Sequence, residues 1–175
     1  MKNVAFIIVF SFALLPALCI AQTKTFEIST DIENGSKVLK GLLTRADIDK
    51  DTSYKWFQQN YKLGQADAPA VVAFQKNAGK FQLVVFFGTW CEDSQILLPV
   101  FYRLIDKSGI AETSITLIGT DRPKTTLDNL HTVFNIINVP TFIVMKDGKE
   151  IGRVVEFGKY GQIDKELGEI VSQIQ

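Results

Sequence analysis

The sequence predicts an α/β chain built on a central mixed β-sheet flanked by helices, and three observations predict it. Residues 83–87 form a fully apolar run, the mark of a strand buried on both faces. Residues 91–107 follow at once with Ile96, Leu97, Val100, Phe101, Leu104 and Ile105 at helical spacing. Asp147-Gly148 then separates two apolar stretches, 141–145 and 151–155, a strong short-range hairpin signal. A strand, a helix and a late antiparallel hairpin require a mixed sheet with helices packed on its faces.

The other elements fill in around these. Phe26-Glu27-Ile28 alternates as one short strand, and Asn34-Gly35 marks a turn, while residues 22–41 otherwise show no sustained period. From Arg45 the pattern turns helical, with Tyr54, Phe57 and Tyr61 on one side, Asp49 or Asp51 as the cap, and Gly64 as the stop. Asp67 caps the next helix with Pro69 in its first turn, and Gly79 closes it. Residues 115–118 make a strand. Residues 125–134 are expected to be helical with Leu127, Leu130, Val133 and Phe134 inward, and a last helix carries Ile163, Leu167, Ile170, Val171 and Ile174 on one stripe.

The chain of 175 residues divides into a signal peptide at 1–21, an N-terminal extension at 22–64 with a short strand and a helix, and one domain at 65–175. Lys2, a short apolar core broken by Pro16, and the small residues Cys19 and Ala21 before Gln22 fit a secretory signal. The apolar run is too short for a comfortable bilayer span, and Leu18 stands where lipidation of Cys19 calls for a small residue. The expected product is exported, to the periplasm or cell envelope or else secreted, without stable membrane insertion once the signal is removed. Nineteen basic and nineteen acidic residues balance, so nothing favours nucleic acid as a partner. With Cys19 removed, Cys91 is left unpaired, whereas exported proteins usually pair their cysteines.

Cys91 falls where the buried strand gives way to a helix, beside Trp90 and one turn before Ser94. Unpaired N–H groups and the helix dipole at such a start favour a thiolate. Glu92 and Asp93 oppose it. Ser94 stands where its hydroxyl reaches back toward the sulfur. A buried structural cysteine is the ordinary alternative. His131, the single histidine, has no His or Cys at metal-ligand spacing, so no metal or cofactor is expected. Trp56, Phe57 and Tyr61 read as core before ligand shelf, and Asp121-Arg122-Pro123 either lines a groove or caps a helix.

Trp90-Cys91, Pro99 and Val139-Pro140-Thr141 together resemble the thioredoxin superfamily over residues 67–175. The resemblance implies a thioredoxin-like fold, Cys91 as attacking thiol, Pro99 as the helix-kinking proline, and a cis proline at Pro140 facing the sulfur. It implies that Trp90, Val139, Pro140 and Thr141 contact the substrate. The segment GTWCEDS, with Asp121-Arg122 and Gly152-Arg153-Val154-Val155-Glu156, is similar to a group of exported bacterial thioredoxin-like proteins. Two departures stand out. Ser94 replaces the resolving cysteine of the Trp-Cys-x-x-Cys motif, so Cys91 can attack a disulfide but cannot release its own adduct. Val85 stands where thioredoxin has a buried carboxylate. The expected partners are protein or small-molecule thiols and disulfides, with an external thiol resolving the adduct, as in monothiol glutaredoxins. The competing reading is a redox-inactive module that binds peptides or proteins beside Trp90 and Pro140.

Overall fold

The computed structural model describes residues 25–175, so the expected signal peptide at 1–21 lies outside the described residues. Six strands, β1 (Phe26–Thr30), β2 (Lys37–Leu43), β3 (Gln82–Phe87), β4 (Ile115–Gly119), β5 (Thr141–Lys146) and β6 (Lys149–Val155), form one sheet in the order β1-β2-β4-β3-β5-β6. Only β3 and β4 run parallel; the other neighbours are antiparallel. The sheet is therefore mixed, as the sequence predicts.

Residues ahead of the apolar core contribute more than one short strand. β2 pairs with β1 and then with β4, Leu42 opposite Ile118, so this stretch extends the same sheet. Its pattern is hidden in the sequence because Lys40 and Gly41 interrupt the apolar residues. Gly41 has φ +127°, and a Cβ there would stand 2.5 Å from the Thr25 carbonyl oxygen. Only glycine lets the two backbones approach so closely.

One sheet face carries the larger core. Leu39, Leu83, Val85, Phe87, Leu117, Phe142 and Val144 pack there against helices α2 (Lys55–Tyr61), α3 (Ala68–Lys76), α4 (Glu92–Ser108) and α6 (Ile163–Ser172). Asp67 caps α3 by accepting from Ala70 N–H at 2.9 Å, and Asp51 caps the single turn before α2. α1 (Ala46–Asp49) is one turn that buries Ile48. Phe57 is fully buried and stacks on Tyr61, so this aromatic group is core.

The opposite face is covered differently from expectation. Residues 125–134 do not form one helix: a 3-10 turn, Leu127–Asn129, leads into the single turn α5 (Leu130–Val133). Asp128 and Asn129 have φ of +55° and +54°, a left-handed conformation that interrupts helix and that these two residue types tolerate. Val133, expected inward, is 69% exposed, while Leu130 and Phe134 pack beside Val84, Phe86, Ile118, Ile136, Val139 and Ile143. Among the described residues no helix is long and apolar enough to cross a membrane.

Candidate functional site

The candidate site forms where β3 ends. Its last residues are buried on both faces, and the chain leaves through Gly88 and Thr89 into α4. Thr89 anchors this exit to β2: its hydroxyl donates to Lys37 O (3.0 Å) and accepts from Leu39 N–H (3.3 Å). Gln95 Nε2 donates to Thr89 O at 2.9 Å from the first turn of α4. The loop is thus held from two sides, and Cys91 is fixed as the N-cap residue of a 17-residue helix.

Cys91 is partly exposed and forms no disulfide. Its Sγ donates to Val139 O at 3.3 Å, which brings the sulfur against the segment ahead of Pro140. The Val139–Pro140 peptide bond is cis. Trp90 lies alongside, with its indole N–H donating to Thr120 O at 2.9 Å. Gly88 makes room for the ring, since a Cβ there would be 2.6 Å from Trp90 Nε1 and Cε2.

Ser94 behaves differently from expectation. It is fully buried, and its Oγ accepts from Gly88 N–H at 3.1 Å. No hydrogen bond joins Ser94 to Cys91 among the described residues. The hydroxyl satisfies a backbone donor left open where the strand ends, as buried N–H groups require. Val139, Pro140 and Thr141 are buried as well. Pro140 O accepts from Glu156 N–H (2.7 Å), and Thr141 pairs with Phe86 and Val155 while its hydroxyl donates to Asn138 O (2.7 Å). Of the residues expected to contact a substrate, Trp90 is the one that keeps solvent-facing surface beside the sulfur. Val85 is fully buried among apolar side chains on the opposite face from Val84 and Phe86.

Sequence reasoning missed the neighbour on the other side of Trp90. The Arg122 guanidinium lies over the indole, 4.9 Å from the ring centroid. It donates through Nε and Nη2 to both oxygens of Asp31 (2.7 and 2.8 Å), and Nη1 stands 2.8 Å from Glu33. Arg122 holds the Asp31 carboxyl down at about 2, helped by the N–H groups of Asn34 and Glu33. The same pairing raises Arg122 above its ordinary value. Glu33, Asn34, Arg122 and residues 90–93, Cys91 among them, line an open pocket of about 480 Å³. The Asp121-Arg122 pair and Asn34-Gly35 were visible in the sequence, but nothing local linked them.

Asp121 takes a separate role, accepting from Lys40 Nζ (2.7 Å) and from Thr125. His131 exchanges hydrogen bonds with Thr126 instead of turning to the sulfur: its N–H donates to Thr126 Oγ1, and its Nδ1 accepts from Thr126 N–H. A hollow of about 460 Å³ between β1, β2 and α1 includes the Lys37–Asp51 ion pair, and its described lining has neither cysteine nor histidine. Among the described residues no three His, Cys, Asp or Glu side chains are grouped to hold a metal.

A family model for thioredoxin matches residues 41–174, most of the chain. The chain belongs to the thioredoxin family. A thioredoxin of Staphylococcus aureus (strain Mu50) is 34% identical over 77 residues, covering 43% of this chain and 68% of that one. A thioredoxin of the mushroom Coprinus comatus is 29% identical over 79 residues, covering 45% and 71%. Among solved structures, the reduced thioredoxin pre-protein of Schistosoma mansoni aligns over 64% of this chain and 95% of its own, with a TM-score of 0.42 and 24% identity. At the coarse level the chain is a thioredoxin-like redox protein.

Proposed function

We propose that this protein is a thiol–disulfide exchange protein of the cell envelope that works through Cys91 alone and depends on an external thiol for release. The observation that carries this reading is the division of labour at the head of α4. Cys91 is partly exposed at the N-cap, whereas Ser94 is fully buried and committed to Gly88 N–H.

The chemistry follows from one nucleophile. The Cys91 sulfur, after losing its proton to water, attacks one sulfur of a partner disulfide. A new S–S bond forms, the partner's S–S bond breaks, and the second partner sulfur leaves as a thiolate that takes up a proton. The oxidation level is conserved, so no further oxidant or reductant enters. An incoming thiolate then attacks the partner sulfur of the adduct and frees Cys91. Val85 offers no carboxylate to relay a proton, so proton exchange goes through solvent at the exposed side of the sulfur. Export is supported by the N-terminal charge, apolar core and small residues at 1–21.

The test is mass spectrometry of species disulfide-bonded to Cys91 in the cell envelope, compared with Cys91→Ser. Adducts released by reductant and absent from the variant support exchange. Partners that bind equally well after Cys91→Ser, with no covalent adduct in the parent, would establish a redox-inactive binding module instead.

A further inference from the structure

The turn joining β1 to β2 is tied together by its own hydrogen bonds and lines the same pocket as Cys91. Within it, Asp31 N–H donates to Ser36 O, and Gly35 N–H donates to Asp31 O. Asp31 Oδ1 accepts from the N–H groups of Glu33 and Asn34, and Asn34 Oδ1 accepts from Ser36 N–H. The turn therefore spends these backbone donors on itself, so it offers a partner chain few of the hydrogen bonds that strand pairing needs. The Asp31 side chain is 2% exposed, and both of its oxygens receive Arg122. Arg122 in turn rests on the face of Trp90, a stacked cation that joins the turn to the residue next to Cys91. Glu33 and Asn34 line the same pocket as Trp90 and Cys91. Cys91 also meets Val139, and Ile137, two residues earlier in that segment, is 79% exposed.

We propose that the 31–36 turn, latched by Arg122, is a size-selecting wall of the thiol site, which makes Arg122 a positioning residue for substrate choice. This rests on the exchange reading above. Partners reach Cys91 from the Ile137 side or as slender groups within the pocket. Disulfides on extended chains and small molecules react, and disulfides set in a broad folded surface are held off by the turn.

The experiment uses the mature chain and two probes with the same leaving group: a short peptide and a folded protein, each bearing one thiopyridyl-blocked cysteine. Release of thiopyridone gives the rate of adduct formation at Cys91, and free cysteine reports the intrinsic reactivity of each probe. The peptide-to-protein rate ratio of the parent, divided by that for free cysteine, is expected to be about tenfold, at the low end of the spread among variants of one interface. Arg122→Gln is expected to bring it down severalfold by raising the folded-protein rate relative to the peptide rate. Asp31→Asn, which keeps the shape of the latch and removes its charge, should act in the same direction and serves if Arg122→Gln does not fold. A ratio equal to that of free cysteine, or one unmoved by both variants, overturns the wall while leaving exchange intact. A parent that reacts with neither probe removes the exchange reading and the wall with it.

Discussion

Ser94→Ala should destabilise the fold without touching the nucleophile. The Ser94 side chain is fully buried, and its Oγ is the acceptor for Gly88 N–H at 3.1 Å, on a glycine that is itself buried. Alanine leaves that donor without a partner in a place water does not reach, a loss of about 1–3 kcal/mol. For a domain of this size each kcal/mol corresponds to roughly 2–4 °C, so a mid-range loss lowers the melting temperature by about 4–8 °C. Ser94→Cys keeps a weak sulfur acceptor in nearly the same volume and should lose less. It should also place a second thiol one turn from Cys91, a spacing at which helix-start cysteines pair, and raise dithiol-driven reduction of insulin-type disulfides well above that of the parent. Thermal melts of the three reduced proteins, followed by a turnover assay, check both statements. A melting temperature unchanged in Ser94→Ala would refute the idea that Ser94 serves the strand end. An inactive and unpaired Ser94→Cys would show that the side chain at this position stays turned toward Gly88 and does not reach the Cys91 sulfur.

Three more outcomes follow from the same contacts. Gly88→Ala should push the Trp90 indole off Thr120 O, because the added Cβ lies 2.6 Å from the ring; an overpacked site of this kind loses about 1–3 kcal/mol, and an unchanged near-ultraviolet circular dichroism spectrum would count against it. Acid should weaken the fold through Asp31 and Asp51, both lowered from 3.8 to about 2, by Arg122 and Lys37 respectively. The unfolded chain takes up these protons first, so this contribution is complete above the unfolded value of 3.8 and is lost as pH falls toward 2; urea midpoints against pH should show that slope, and Asp31→Asn should flatten part of it. Phe142→Ala, at a fully buried site between Phe101 and the sheet, should lose about 3–5 kcal/mol in denaturant titrations, and a loss below 1 kcal/mol would mean that the two faces are not packed as described.

By itself the sequence determined the parts of this protein whose pattern repeats within a few residues. The apolar run that became β3, the stripe of α4, the hairpin at Asp147-Gly148 and the cap at Asp67 all appear where spacing places them, because period and turn chemistry act locally. The position of Cys91 at the head of α4 was legible for the same reason. Tertiary structure decided what lies between distant residues. β2 was hidden because its apolar residues are split by Lys40 and Gly41, and it is a strand by virtue of its pairing with β1 and β4. The helix expected over 125–134 yielded to two left-handed residues, whose backbone no spacing of Leu and Val reveals. Ser94 turned to Gly88, not to Cys91, since an open N–H at the strand end was the unmet demand. The Asp31–Arg122 latch joins positions 91 residues apart. Such a contact leaves no local period, because the entropy of bringing its ends together is met by the whole sheet and not by any neighbouring residues.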